Sequence, residues 1–234
     1  MMFGRKRSSE DVGNPFLSAP TGGTTCVLKR DGAEVEEPDT DLEAVMVTGP
    51  AAPTGGVAPE VPPLRVPTML VDPPHGAVVQ LVGLHGGAGV TTLSHVLGDG
   101  VLDAGVGLDL AAAGVPVVLV ARTHATGLDV AARAARQWAS GGLTGLPLLG
   151  AILVDDGPRI SDGMSRRALS VSRAFPRTWR IGWVDPWRSE LLPTDCPTRV
   201  RRARKSLLGE ADHFSRMGSK ESHINPKEKE AIES

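Results

Sequence analysis

Residues 77–97 read AVVQLVGLHGGAGVTTLSHVL, and this stretch decides the fold. Its first part, through Gly83, is a short, mostly apolar and β-branched run, which predicts a buried strand. The eight residues HGGAGVTT at 85–92 carry three glycines and lead into an apolar segment at 93–97, which predicts a helix. In this order of strand, glycine-rich loop and helix, main-chain N–H groups converge on an anion at a helix N-terminus. The stretch therefore predicts an α/β domain with a phosphate-binding turn.

Further segments extend this alternation along the chain. Residues 115–121 and 148–154 are continuous apolar runs typical of buried strands, and residues 179–184 predict one more strand. Between them, apolar side chains recur at helical spacing over 128–138 and 164–175. Alternating strands and helices predict a small, mostly parallel sheet with flanking helices.

The two ends of the chain differ from this central part. Residues 1–75 are rich in proline, glycine and acidic side chains and show no sustained period, so we predict a disordered arm. Residues 76–195 are predicted to form the α/β domain, and residues 196–234 a basic helix followed by a disordered tail. Residues 1–121 hold 6 basic and 14 acidic side chains, whereas residues 122–205 hold 15 and 7. This asymmetry suits docking to an acidic partner or to nucleic acid, or a solvated arginine-rich helix face.

Cysteine content and hydropathy indicate where in the cell the protein is expected. Cys26 and Cys196 lie outside the predicted domain without metal-ligand spacing, so neither a disulfide framework nor a zinc site is expected. The apolar runs fall well short of the roughly 20 residues that a membrane-spanning helix needs, and the polar N-terminus lacks a signal-peptide apolar region. We therefore expect a soluble, cytoplasmic protein with no membrane span.

The glycine loop strongly resembles the KGGxGKTT loop of the ParA/MinD family of partitioning ATPases. The positions that match it are Gly86, Gly87, Gly89, Thr91 and Thr92. The resemblance implies an abbreviated P-loop NTPase-like fold, a homodimer formed around nucleotide, ATP in the loop, and Mg²⁺ on the Thr91 hydroxyl. The nucleotide-binding residues expected from the resemblance and from the position of Arg122 are His85, Gly86, Gly87, Ala88, Gly89, Val90, Thr91, Thr92 and Arg122.

The loop departs from the family at both of its cationic positions. Val90 stands where the lysine after the last glycine is expected, and His85 where the additional signature lysine is expected. No lysine or arginine occurs between Arg65 and Arg122, so no residue close in sequence replaces the missing charge. Since the P-loop lysine also counters charge that develops during phosphoryl transfer, hydrolysis should suffer more than binding.

Arg122 is the strongest candidate to compensate for the missing lysines. It lies just beyond the carboxyl end of a strand expected to neighbour the strand before the loop, where ligands sit in open α/β sheets. His85 and His124 could each donate to a phosphate when protonated. The alternative for all three residues is a structural or hydrogen-bonded surface role.

The acidic residues between the loop and the next predicted strand do not identify a metal ligand. The family resemblance implies an aspartate at the end of a strand between the loop and the 115–121 strand. The only acids there are Asp99, Asp103 and Asp109, in a glycine-rich segment that predicts a loop. We therefore expect an abbreviated sheet that lacks one or two strands.

Two groups near the end of the domain have more than one interpretation. Asp155 and Asp156 follow a predicted strand and could bind a metal ion, or form a turn or helix cap. Trp179, Trp183 and Trp187 stand four residues apart and could pack in the core or contact a partner.

A broader resemblance bears on function. The degenerate loop and the segments VVLVARTHATGL and WRIGWVDPWR resemble a group of uncharacterised actinobacterial proteins found on conjugative or integrated mobile elements. This implies a ParA/MinD-like nucleotide-binding or pseudo-ATPase accessory protein in partitioning, conjugation or secretion. Two alternatives stay open: an active ATPase in which Arg122 or a partner's cation replaces the lysine, and a structural adaptor that binds no nucleotide.

Partners follow from the same reasoning. An accessory or adaptor role implies a protein partner. A basic run after the domain could bind DNA through its phosphates. Such binding would be non-specific, because no DNA-reading motif accompanies the run. The run comprises Arg199, Arg201, Arg202, Arg204 and Lys205.

Overall fold

The computed structural model describes residues 46–67, 70–109, 111–190, 193–194 and 196–221. The elements are β1 (Val47–Thr48), β2 (Val79–Gly83), α1 (Val90–Leu97), β3 (Val101–Val106), β4 (Val117–Arg122), α2 (Ala125–Ala139), β5 (Leu148–Val154), α3 (Asp162–Ser172), β6 (Arg177–Ile181) and α4 (Thr198–Glu221). A short 3₁₀ turn, Asp185–Arg188, separates β6 from α4. The predicted α/β class is confirmed. No helix in the described part of the chain is long and apolar enough to cross a membrane.

The six strands form one sheet in the order β1-β6-β5-β4-β2-β3. Strands β2 to β6 run parallel to one another, and β1 pairs antiparallel with β6. Because β2 lies between β3 and β4, the chain moves to one side of β2 first and to the other side next. This reversal is the topological switch point of a doubly wound sheet, where ligands bind beyond the carboxyl ends of the strands. The loop after β2 and the end of β4 both lie at that place.

Helices cover both faces of the sheet. Leu128 of α2 and Val171 of α3 belong to one buried cluster, whereas Leu93 of α1 and Leu207 of α4 belong to the other. Every residue of β5 and nearly every residue of β4 is buried, as expected for strands covered on both sides. Burying a single leucine side chain stabilises the fold by roughly 1.5–3 kcal/mol, so these two clusters dominate the stability of the domain.

Strand β3 corrects the prediction of a loop over residues 98–114. It is a partly buried edge strand that contains Asp103 and Gly105, and such residues weaken the strand pattern in the sequence. Asp103 pairs in register with Leu81 and accepts a hydrogen bond from the Gly105 N–H (2.8 Å). It therefore lies within the strand and not at its end, while Asp109 is exposed beyond it.

The buried Gln80 side chain fastens the β3–β4 connection to β2. Its Nε2 donates to the carbonyls of Ala112 (2.9 Å) and Val115 (2.8 Å), and its Oε1 accepts from the Ala112 N–H (2.8 Å). A fully buried glutamine is tolerated here because these bonds satisfy both its amide oxygen and its amide nitrogen.

Part of the predicted N-terminal arm is packed on the domain. Residues 46–67, called the strap here, add β1 to the sheet edge and bury Leu64, which is 2% exposed. The amide of Gln137 in α2 exchanges two hydrogen bonds with the Leu64 backbone, at 3.3 and 2.7 Å. The predicted start of the domain at residue 76 is therefore too late. The remaining predictions of disorder, over 1–45 and 222–234, lie outside the described residues.

The C-terminal boundary changes in the same way. The prediction placed a helix after the domain, but α4 packs on the sheet through Val200, Ala203, Leu207 and Ala211. This apolar stripe was obscured in the sequence because arginines are interspersed among its members. The helix is thus a structural part of the domain.

Candidate functional site

The glycine loop joins β2 to α1, with the predicted strand before it and the predicted helix after it. Gly87 (φ 74°) and Gly89 (φ 97°) adopt the left-handed conformation, which residues with a Cβ rarely adopt. Gly89 is the N-cap of α1, no side chain caps the helix, and its first turn holds no acid. The first N–H groups of α1 therefore lack acceptors among the described residues, which suits an incoming anion.

Arg122 ends β4 and reaches over this loop. Its Nε donates to the Gly87 carbonyl (2.8 Å), and its Nη1 lies 3.4 Å from Asp156 Oδ1. A Cβ on Gly89 would lie 3.9 Å from Arg122 Nη2, so the guanidinium stands close to the N-terminus of α1. Burial lowers the pKa of Arg122, nearby Arg188 lowers it further, and Asp156 opposes both effects. The guanidinium nevertheless stays charged at neutral pH.

Arg188 is a second cation that the sequence analysis did not single out. It ends the 3₁₀ turn after β6, and its Nη2 lies 3.2 Å from Asp156 Oδ1. Its guanidinium carbon is 4.9 Å from the centroid of the Trp183 ring, a cation–π distance. Two guanidinium groups thus share one carboxylate, which leaves one net positive charge beside the helix N-terminus. No local sequence pattern indicates that Arg188 meets Arg122.

A narrow cleft lies between the loop and the segment after β6. Its enclosed volume is about 20 Å³, room for little more than one water molecule and far below that of a typical small-molecule site, so a bound phosphate would lie at its open mouth. Its cationic wall is formed by Arg122 and Arg188, and its aromatic wall by Trp183 and Trp187. Gly89 and Thr92, among others, also line it.

Two of the predicted binding residues face elsewhere. Val90 is 5% exposed and packs close to Gly83, so it belongs to the interior between α1 and β2. Thr91, expected to hold Mg²⁺, is exposed and does not line the cleft, whereas Thr92 does. In the part of the chain that the structure describes, no three His, Cys, Asp or Glu side chains are grouped as a metal site.

His85 and His124 form hydrogen bonds with main-chain groups. His85 Nε2 accepts the Arg122 N–H (3.2 Å), so its proton resides on Nδ1, which lies 2.9 Å from the Gly86 carbonyl. Donation from His85 to a phosphate stays a prediction, and it would require the ring to release the Arg122 N–H or the Gly86 carbonyl. His124 is the N-cap of α2, because its Nδ1 accepts the Gly127 N–H (3.0 Å). The two rings lie 5.0 Å apart.

Some of the remaining acidic and aromatic candidates lie at the cleft, and the others lie elsewhere. Asp155 pairs with Arg180 (2.9 Å), whereas Asp156 points to the cleft arginines, and Ser161, not either aspartate, caps α3. Trp179 is buried in the core. Trp183 and Trp187 lie beyond the end of β6 and line the cleft.

The basic run on α4 divides into anchors and exposed groups. Arg199 donates to the Trp183 carbonyl (2.9 Å), and Arg204 donates to the Leu97 carbonyl at the end of α1. These two side chains attach α4 to the domain. Arg201, Arg202 and Lys205 are exposed, and Arg199 is exposed as well despite its bond to the Trp183 carbonyl.

Comparison with known proteins places the domain in a family. No curated protein and no solved structure matches the chain. One family model matches residues 77–204, which is more than half of the chain. The match extends from β2 to the first turns of α4 and includes the glycine loop, Arg122 and Arg188. The chain therefore belongs to DUF6668, a family of unknown function.

Proposed function

We propose that this protein binds a nucleotide by its phosphates in the cleft beside α1, as a ParA/MinD-like nucleotide-binding or pseudo-ATPase accessory protein of a mobile element, acting in the cytoplasm. The observation that carries the proposal is the pair of guanidinium groups, Arg122 and Arg188, beside an uncapped helix N-terminus. The resemblance of the loop to ParA/MinD proteins supports ATP as the nucleotide. Self-association around the nucleotide and a protein partner remain predictions of that resemblance.

The charges and donors in the cleft match a polyphosphate. Loop and α1 amides can donate to phosphate oxygens, and each guanidinium can donate two parallel hydrogen bonds. Arg122 and Arg188 thereby supply the cations that Val90 and His85 lack. Magnesium would enter with the nucleotide, and Thr92 is the hydroxyl in the cleft that could contact it.

The protein is expected to bind nucleotide but to hydrolyse it slowly or not at all. A P-loop lysine follows the phosphate charge through the transition state, whereas Arg122 is held by the Gly87 carbonyl and Asp156. A guanidinium held in this way stabilises bound phosphate and transition state more equally, which favours affinity over rate. Weak or absent ATPase activity follows.

Titration of a fluorescent ATP analogue, with and without Mg²⁺, tests the proposal. Arg122→Gln and Arg188→Gln should each weaken binding about tenfold or more, since each removes a charged partner of the phosphates. Arg180→Gln is the matched control, because Arg180 pairs with Asp155 outside the cleft. Thermal unfolding without ligand shows whether each variant is folded.

Each alternative corresponds to a different result. Absence of binding by the wild-type protein refutes the proposal and favours the structural adaptor. An equal loss of affinity in Arg180→Gln and Arg122→Gln also contradicts it. Rapid phosphate release, with or without DNA or a partner, identifies an active ATPase.

A second function, non-specific DNA binding, is favoured by the charges of α4. Arg201, Arg202 and Lys205 are exposed in the first two turns, where the positive end of the helix dipole disfavours cations. A polyanion would offset this repulsion. DNA retention should fall steeply with salt, and Arg201→Gln with Lys205→Gln should reduce the slope by about 1 for each phosphate that the protein no longer neutralises. A salt-independent signal contradicts this function.

A further inference from the structure

Asp156 occupies the centre of the candidate site. It is the second residue beyond β5, and its Oδ1 lies between Arg122 Nη1 (3.4 Å) and Arg188 Nη2 (3.2 Å). Its backbone is held as well, because its N–H donates to Thr123 Oγ1 (3.2 Å) and its carbonyl accepts from Arg188 (3.3 Å). A carboxylate oxygen between two guanidinium groups has the charge and the hydrogen-bonding role of a phosphate oxygen.

The side-chain contacts of Asp156 are exchangeable. Its side chain is 39% exposed and that of Arg188 is 50% exposed, so water screens this ion pair. Both N···O distances are long for charge-assisted hydrogen bonds. A phosphate carries more charge and more acceptor oxygens than a carboxylate, and it can also accept from the α1 amides.

The two arginines are held to different degrees. Arg122 keeps its bond to the Gly87 carbonyl whatever Asp156 does, and its side chain is only 20% exposed. Arg188 has the stacking contact with Trp183 and its bonds to Asp156. When a phosphate enters, Arg188 is therefore the side chain expected to move.

We propose that Asp156 is an internal counter-anion that competes with the phosphate of the ligand for Arg122 and Arg188. This inference rests on the proposed function and adds a regulatory residue to that site. Without ligand, the carboxylate offsets one of the two positive charges and reduces the repulsion between the arginines. With ligand, it must give up both arginines, so it lowers the affinity of the cleft and makes ligand binding an exchange of one anion for another.

Inorganic pyrophosphate, which has no base or sugar, is the probe that isolates this exchange. Asp156→Asn keeps the shape and removes the competing charge, so it should tighten pyrophosphate binding about five- to tenfold, the effect expected of two exposed ion pairs. Asp155→Asn is the matched control, because it removes the same charge from the preceding residue, whose carboxylate pairs with Arg180 and not with the cleft arginines. Its affinity should stay within about twofold of the wild type.

The outcomes separate the two proposals. No pyrophosphate binding by either the wild type or Asp156→Asn overturns the proposed function. Binding by both, with equal or weaker affinity in Asp156→Asn, overturns the role of Asp156 and leaves the proposed function standing. In an Arg188→Gln background, Asp156→Asn should increase pyrophosphate affinity by less than half of the factor that it produces in the wild type. A full gain there also overturns the exchange.

A wild-type measurement keeps the inference testable if Asp156→Asn does not fold. Displacement of Arg188 from its position over Trp183 should change tryptophan emission when pyrophosphate binds, and Trp183→Phe should abolish that change. Bound pyrophosphate with unaltered emission, or an undiminished change in Trp183→Phe, contradicts the exchange.

Discussion

Gly127 is the position where a single methyl group should disturb both the fold and the site. It lies in the first turn of α2, directly against the end of β4. A Cβ at this position would lie 2.3 Å from the Arg122 carbonyl oxygen and 3.1 Å from His85 Nε2. Non-bonded heavy atoms prefer about 3.5 Å, so Gly127→Ala requires α2 and β4 to separate by about 1 Å.

The magnitude follows from two opposing contributions. Overpacking against a backbone atom costs about 3 kcal/mol, the upper part of its usual range. Alanine offsets about 1 kcal/mol of this through its higher helix propensity. The variant should therefore lose about 2 kcal/mol of unfolding free energy, which lowers Tm by about 4–8 °C in a domain of this size. Pyrophosphate binding should weaken as well, because Arg122 moves with the end of β4.

Gly163→Ala is the matched control, since Gly163 is an exposed glycine in the first turn of α3. A Cβ on Gly163 meets no atom within 4 Å. The control should gain up to about 1 kcal/mol from helix propensity alone. Urea unfolding followed by tryptophan emission measures both variants, and pyrophosphate titration follows the site. Equal stability of the two variants would refute the close packing of α2 on β4.

Three further substitutions test other parts of the structure. Gln80→Met should lower the unfolding free energy by about 3 kcal/mol or more, because it leaves three buried backbone groups without partners, as urea unfolding would show. Val90→Lys should destabilise the domain and leave nucleotide affinity no higher, since Val90 faces the interior; tighter ATP binding would contradict this orientation. Gln137→Met should release Leu64, so protease should cut the strap faster while the melting of the sheet changes little.

The elements that sequence patterns predicted are those with strong local signals. Strands β4 and β5 are continuous apolar runs because both of their faces are covered, and α2 shows a clear helical period. Strand β3 has neither signal, since an edge strand is covered less and contains Asp103 and Gly105. The strap was missed because its attachment depends on Gln137, which lies 73 residues away from Leu64.

The residues of the candidate site likewise differ in whether a local sequence pattern predicts them. The loop was predictable, because three glycines between a strand and a helix form a local pattern. Arg122 was predictable as a candidate, since it ends a strand next to the switch point. Arg188 and Asp156 were not predictable as its neighbours, because their approach depends on which strand ends lie side by side in the sheet.

The amino-acid sequence by itself determined the α/β alternation, the strand-loop-helix order and the absence of lysine from the glycine loop, since each is expressed by residues close together in the chain. Only the tertiary structure decided that Val90 faces the interior, that His85 binds the Arg122 backbone, and that two arginines share one carboxylate. Such relations arise because a parallel sheet gathers the ends of distant strands at one edge. The chemistry of that edge is therefore a property of the assembled sheet.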